Sequence, residues 1–508
     1  MTDLAASFVQ NEDIIVPAQI VTRIHLKEGE QAPSLFISEN DRYDVQIQAF
    51  VRKITDIDPD TFIKFLPLNE IHALNKGDKL ATDMQLTPSQ KKVVELFRLA
   101  VNRKASDIHI AIGEEGLAFI NLRIHGSLIR VNSIPQQEGL TLASTIILSM
   151  CDVAESQFNS NRPQDGRIES KYLEGLNLFG ARYSHTPTVH GIHVVMRLIP
   201  DDSENPPTLS ELGFLPEQKK LLEKMLVTPE GMVILSGPTG SGKSSTLRTM
   251  ASMYLSFHEY ALNLVTYEDP PEGRIKGAVQ CPIIANKNNP DDVLRAWRLY
   301  LANTLRIDPD AILIGEMRDS FSAQACVTNA MTGHLVLSTT HANDPFNILE
   351  RLLTLDIRPE LLTDPQLFIG LVSQRLVPVL CEHCKLSWND VVNDLSEIQQ
   401  QLISETCDTG ATRFRNPAGC SCCEEGIVGR QVVAEVIHPD AQFMLSFRKQ
   451  GKLAAREYWI KLMGGITRNA HVLKLVNQGL VDPRSAQRIC PLDEDRRLLT
   501  EGAQQNES

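Results

Sequence analysis

The stretch that most limits how this chain can fold is Leu235-Ser236-Gly237-Pro238-Thr239-Gly240-Ser241-Gly242-Lys243-Ser244-Ser245. Before it runs Met232-Val233-Ile234-Leu235, which reads as a buried parallel strand. After it, Ser245-Thr246-Leu247-Arg248-Thr249-Met250 reads as the start of a helix. Strand, G-x-x-x-x-G-K-S, helix is the setting of a phosphate-binding loop. Gly237, Gly240 and Gly242 carry no Cβ, so the backbone can curl tightly and turn its N–H groups inward. The positive end of the helix dipole adds to that anion site. On this reading Gly237, Pro238, Thr239, Gly240, Ser241, Gly242, Lys243, Ser244 and Ser245 hold the nucleotide. Lys243 reaches the β- and γ-phosphates, and the Ser244 hydroxyl ligates Mg²⁺.

The bulk properties narrow the class. A chain of 508 residues has room for about two to four domains with real cores. A net charge of −13 argues against a general nucleic-acid binder, and no stable nucleic-acid binding is expected. No uncharged apolar run approaches the roughly 18–20 residues that span a bilayer. Met1-Thr2-Asp3-Leu4 lacks the basic-then-apolar layout of a secretory signal. A cytoplasmic protein is expected, with its ten cysteines as thiols or metal ligands.

Residues 1–90 read as a small docking or adaptor domain without chemistry of its own. Ile14-Ile15-Val16-Pro17 and Gln19-Ile20-Val21-Thr22-Arg23-Ile24 read as short strands, and Asp44 to Val51 alternates with a strand-like period. A helix starts after Leu86, capped by Thr87 or Ser89. Residues 91–199 read as a mixed α+β domain, mostly strands. Asp107 and His109 there suggest catalysis or a metal, but a turn closing a strand is the preferred reading. Pro200-Asp201-Asp202-Ser203-Glu204-Asn205-Pro206-Pro207 reads as a linker. From Thr208, at the head of a domain over 208–508, helices and strands alternate, which implies an α/β parallel sheet.

Three more strands of that sheet end in polar residues. Ala261 to Tyr267 leads into Glu268-Asp269-Pro270. Ligands of parallel α/β sheets bind at the carboxyl ends of strands, so Glu268 and Asp269 suit metal-bound water or the attacking water. Asp310 to Ile314 leads into Gly315-Glu316-Met317-Arg318-Asp319, where Glu316 can orient and deprotonate that water. Leu335 to Thr340 is bracketed by His334 and His341, one of which can sense the γ-phosphate.

Cys381-Glu382-His383-Cys384 and Cys420-Ser421-Cys422-Cys423 make two C-x-x-C units, if Cys420 pairs with Cys423. About 35 residues separate them, a loose but workable spacing for a four-cysteine zinc site, with Cys422 as a competing thiol. Cys151, Cys281, Cys326, Cys407 and Cys490 read as packing residues. Glu501 to Ser508 reads as a frayed tail.

Taken together, Gly237 to Ser244, Glu268-Asp269-Pro270, Gly315 to Asp319 and Thr332 to His341 resemble the Walker A, Asp box, Walker B and His box of the secretion ATPase superfamily. The resemblance extends through Ser106 to His109, Pro163 to Arg167 and Thr186-Pro187-Thr188, and so covers about residues 90 to 490. It implies a P-loop, RecA-like catalytic domain preceded by a PAS-like domain. It implies ATP, Mg²⁺ and Zn²⁺ as cofactors, a homohexamer, and a post at the inner membrane beside a polytopic platform protein, with a cytoplasmic adaptor as a further partner. It also implies arginines from the preceding domain near the phosphates. Arg123 and Arg182 are the first candidates, with Arg130 and Arg197 behind them. The family's Arg-x-Asp-Gly is here Arg123-Ile124-His125-Gly126, which leaves the local partner of Arg123 open. The cysteine segments resemble those of the GspE/PilB-like branches, which drive type II secretion and type IV pilus assembly. A pilus assembly ATPase is the leading expectation, a type II secretion motor the next, and a DNA-transfer or uptake motor a further one.

Overall fold

The apolar run before the glycine loop is a strand, Gly231–Ser236, buried along its whole length, and the helix after it spans Lys243–Phe257. These come from a computed structural model that describes residues 20, 23–27, 34–42, 44–57, 59, 61–66, 71, 86–153, 157–285 and 289–498. The chain divides into two units, Met1–Lys91 and Lys92–Ser508. No helix among the described residues is long and apolar enough to cross a membrane.

In the first unit β1 (Ile24–Lys27), β2 (Ser34–Ser38) and β3 (Phe62–Leu66) form a sheet, with β1 antiparallel and β3 parallel to β2. The expected strand over Asp44–Val51 is instead the start of a helix, Val45–Ile57. Asp44 Oδ1 accepts hydrogen bonds from Gln46 N and Ile47 N at 2.9 and 3.2 Å, which starts the helix. Ile47, Phe50 and Ile54 are the residues that bury, at the spacing of one helical face, so the alternation had the wrong period. The strand expected over residues 14–17, half of that over 19–24 and the tail from 501 lie outside the described residues.

The second unit begins within the helix Pro88–Asn102. Thr87 Oγ1 accepts from Gln90 N (3.3 Å) while Gln90 Oε1 accepts from Thr87 N (2.9 Å), a reciprocal cap. An antiparallel seven-stranded sheet follows. It is built of β4 (Ala105–Ile112), β5 (Leu117–Ile124), β6 (Ser127–Pro135), β7 (Cys151–Val153), β8 (Gln164–Ile168), β9 (Leu178–Thr188) and β10 (Gly191–Pro200). Their spatial order is β6-β5-β4-β10-β9-β8-β7. Ile108, Ile110, Leu122, Val194 and Met196 form its buried face. Asp107 and His109 are not in a turn, as expected, but inside β4 on the other face, a position set by cross-strand pairing. The segment after Pro200 is pinned to the following half of the unit. Asp202 pairs with Arg248 (3.1 Å), Glu204 with Lys276 (2.7 Å), and Thr249 Oγ1 donates to Pro207 O (2.9 Å).

The next sheet holds β11 (Gly231–Ser236), β12 (Leu264–Glu268), β13 (Val279–Pro282), β14 (Ala311–Ile314), β15 (Leu335–Thr340) and β16 (Phe368–Leu380). The short pair β17 (Leu386–Ser387) and β18 (Arg413–Phe414) stands apart, and β19 (Ile427–Ile437) closes the large sheet. Its order is β13-β12-β14-β15-β11-β16-β19, parallel except for the antiparallel β16–β19 pair at one edge. Met232 and Ile234 face one apolar core and Val233 and Leu235 the other, so the strand is apolar throughout because both its faces are covered. The chain ends in helices fastened by buried charges. Arg456 lies 3.2 Å from both Glu435, which is 1% exposed, and Asp495.

Candidate active site and a four-cysteine cluster

The polar residues that follow β11, β12 and β14 gather at the carboxyl edge of the parallel sheet, the edge where such sheets bind ligands. The glycine loop leaves β11 there. Gly242 stands at φ 84° and starts the helix Lys243–Phe257, so the loop's last N–H groups and the helix N-terminus point into one concavity. Lys243 Nζ donates to Gly237 O (2.7 Å) and Pro238 O (3.3 Å), folding the ammonium over the loop. Burial pushes its pKa below the ordinary lysine range, with the carboxylates of Glu316 and Glu272 opposing. The hydroxyls of Ser241 and Thr246 are buried without a hydrogen-bond partner. Unpaired buried donors, a cation and a glycine-lined cradle fit a phosphate group. Ser244 and Ser245 are half-buried on the first turn of the helix.

Glu316 follows β14 and is gripped on both oxygens. His341 Nε2 lies 3.0 Å from Oε1, and Arg318 Nε lies 2.9 Å from Oε2. His341 thus joins the cluster from the carboxyl end of β15. His334 does not. It precedes β15, where its Nδ1 faces Asn329 O at 3.0 Å, and the six-residue strand sets it roughly 20 Å from His341.

Glu268 ends β12, three strands along from β11, a lateral offset of roughly 14 Å. It is 8% exposed, and its Oε1 accepts from Thr266 Oγ1 (2.7 Å) and Gln280 Nε2 (3.2 Å). Burial raises its pKa above the usual carboxylate range against those two bonds.

The candidate arginines lie in one cross-strand row. Arg123, Asp107, Arg197 and Arg182 are successive partners on β5, β4, β10 and β9, so their side chains share a face. Asp107 holds Arg197 at 3.2 Å and Arg123 at 3.9 Å, and Arg123 Nη1 donates to Gly126 O at 3.1 Å. The partner of Arg123 is therefore on the next strand. His125 is free to be a turn residue, at φ 49°, in the two-residue hairpin between β5 and β6. Arg182 reaches across to the loop after β12, donating to Pro270 O at 3.2 Å. Burial depresses its pKa, Glu272 opposes, and the neighbouring Arg197 adds to the depression. Arg130 instead stacks 3.9 Å from the Phe119 ring centroid.

Cys381, Cys384, Cys420 and Cys423 place their sulfurs within 4.8 Å of one another. Separations are 3.7 Å for Cys381–Cys420, 3.7 Å for Cys384–Cys423 and 3.6 Å for Cys420–Cys423. A tetrahedral zinc with Zn–S near 2.3 Å sets its sulfurs about 3.8 Å apart, so the four thiols fit that ion. Cys422 is exposed and outside the cluster. Glu424, next to Cys423, takes both oxygens to Arg103 (2.8 and 2.6 Å), which ties the lobe to the turn that leads into β4.

Sequence reading gave no role to Arg318 or to Gln374, whose Nε2 donates to Ser241 O at 2.9 Å. Arg318 was within reach, two residues from Glu316; Gln374 sits on a distant strand and left no local signal.

The family model described as type II/IV secretion system protein matches residues 83–484. Type II secretion system protein E of Dickeya dadantii is 34% identical over 398 residues, covering 78% of this chain and 74% of that protein. The type IV pilus assembly ATPase PilB of Thermus thermophilus is 34% identical over 363 residues, 70% of this chain and 38% of that protein. Among solved structures, the pilus retraction motor PilT with bound ADP superposes with a TM-score of 0.52 at 22% identity, over 79% of this chain and 98% of that one. The ATPase DotB of Legionella pneumophila gives 0.51 at 21%, over 80% and 96%. These two likenesses carry the fold alone, an α/β core. With the match over 83–484 and one third identity across most of the Dickeya protein, this chain belongs to the type II/IV secretion system protein family.

Proposed function

We propose that this protein is a Mg²⁺-dependent P-loop ATPase that works as a motor of type IV pilus assembly, in a homohexamer at the cytoplasmic side of the inner membrane. The observation that carries the enzymatic reading is that the Lys243 loop and the His341-held Glu316 meet at one sheet edge. ATP is the substrate. The loop N–H groups and Lys243 bind its phosphates, and Ser244 offers its hydroxyl to Mg²⁺, which neutralises phosphate charge. Glu316 accepts a proton from the attacking water. Each carboxylate oxygen has a second lone pair, so the hydrogen bond from Arg318 and the close approach of His341 orient the base without blocking it. Glu268 positions water on the flank of the site. Arg182 and Arg123 answer the phosphates from the preceding PAS-like domain, which links hydrolysis to motion between the domains. His334 lies far from His341, which leaves His341 to sense the γ-phosphate.

The proposed division is 1–90 for docking to an adaptor or to a polytopic platform protein, 91–199 for the arginine domain, 200–207 for the linker and 208–508 for the ATPase. Cys381, Cys384, Cys420 and Cys423, in a lobe of about residues 380–425, would hold a zinc ion as a structural tie, four thiolates leaving no position for a substrate. A type II secretion motor is the second reading. It is favoured by the share of the relatives covered, 74% of the Dickeya protein E against 38% of the Thermus protein.

Nucleotide binding and hydrolysis by Lys243→Ala test the enzymatic reading. Loss of both is expected, because the loop then has no cation over the phosphates. Substantial turnover by that variant removes the loop from the mechanism.

A further inference from the structure

We infer that Gln374 is a positioning residue for the nucleotide loop, holding it in its binding shape from the neighbouring strand. The inference rests on reading that loop as the nucleotide site.

The placement comes from strand register. β16 runs parallel to β11 with Ser236 opposite Ser373, so Gln374 is the residue on β16 that lies beside the point where the chain leaves β11 for the loop. Its side chain is fully buried. It meets the loop at three points. At the start, a Cβ on Gly237 would lie 2.4 Å from Gln374 O, so the backbone of Gln374 is one reason only glycine fits there. In the middle, Gln374 Nε2 donates to Ser241 O at 2.9 Å. At the end, a Cβ on Gly242 would lie 3.3 Å from Gln374 Nε2.

The middle contact matters most. A trans peptide plane carries its C=O and its N–H on opposite sides. Holding Ser241 O toward Gln374 therefore turns the Gly242 N–H the other way, into the concavity. Released, the same plane can flip, which removes a donor from the phosphates and presents a carbonyl oxygen to them. The amide is also placed for more than packing. Gln374 Oε1 and Ser241 Oγ are both buried without partners, a cost that a purely structural position would avoid with an apolar residue. Gln374 touches no reacting atom. It acts through the loop backbone.

The test uses the full-length protein and two substitutions of matched length. Gln374→Met keeps the volume and loses the donor. Gln374→Glu keeps the shape and puts a carboxylate where the donor was. ATP and ADP affinities are measured by calorimetry, with the melting temperature of the nucleotide-free protein and the steady-state kinetics beside them. Gln374→Met is expected to weaken both nucleotides on the order of tenfold, Gln374→Glu more. For Gln374→Met the nucleotide-free melting temperature should stay within about 2 °C of wild type, and kcat at saturating ATP within about threefold, so that KM carries the effect; Gln374→Glu, which buries an unpaired carboxylate, is read by affinity alone. Affinities within twofold of wild type in both variants overturn the inference. So does a melting temperature of Gln374→Met that falls in step with its affinity, which would make Gln374 a packing residue. Failure of the wild-type protein to bind nucleotide overturns instead the reading of the loop itself.

Discussion

His341 Nε2 lies 3.0 Å from Glu316 Oε1, joining the residue after one sheet strand to the acid after its neighbour. The pair defines the expected chemistry. Glu316→Gln keeps the size of the side chain and loses its basicity, so ATP affinity should stay within about threefold while kcat falls by about 100-fold or more. His341→Ala removes one of the two contacts that orient Glu316 and should cost less, on the order of tenfold in kcat. Single-turnover hydrolysis beside equilibrium binding checks both. Collapse of affinity in Glu316→Gln with normal turnover of bound ATP would make that residue structural.

The two leading arginines are expected to separate. Arg123 is held by Asp107 and Gly126 O, whereas Arg182 reaches the loop after β12 and is half-buried beside Glu272. Arg182→Ala should lower kcat/KM by roughly 10- to 100-fold, the range of a charge-assisted hydrogen bond, and Arg123→Ala by less. The reverse ranking would show that the row acts from its other end.

Zinc content distinguishes the cysteines. The full chain should carry one Zn²⁺, and Cys381→Ser should lose it together with part of the lobe's stability, because metal binding there is folding energy. Cys422→Ser should keep the metal, since that thiol is exposed and outside the cluster. Elemental analysis of the purified variants decides. Equal loss from Cys422→Ser would mean that a different fourth thiol binds.

Stability should fall in acid through His471. Its side chain is fully buried, its Nδ1 accepts from Ala434 N at 3.1 Å, and burial presses its pKa from 6.5 to about 4. Between those values the unfolded chain binds a proton that the folded chain does not. Stability is therefore whole above pH 6.5 and declines as pH falls toward 4, by about 3 kcal/mol in all at roughly 1.4 kcal/mol per unit. His471→Asn offers an oxygen acceptor that does not titrate. Its urea midpoint should change less between pH 6.5 and 4.5 than that of the wild type, and equal slopes would acquit His471.

What the sequence by itself determined is local. The strand before the loop, the helix after it and the Thr87 cap depend on residues within a few positions of one another, and each is present in the structure. The two C-x-x-C units are local in the same sense, and four thiols are an unusual enough set that their spacing named the cluster before the fold brought them within 4.8 Å. Asp44 to Val51 reads as a strand yet folds as the start of a helix because a short amphipathic run satisfies two periods, and burial against the neighbouring sheet decides between them. What the tertiary structure alone decided is register. His334 and His341 look equivalent in the sequence, yet a parallel strand has two ends and one of them faces the loop. Arg123, Asp107, Arg197 and Arg182 form a row only once β5, β4, β10 and β9 are paired. Gln374 and Ser241 are 133 residues apart and meet because β16 lies beside β11. Pairing of distant strands follows from how whole faces bury, and that depends on the complete fold rather than on any stretch of it.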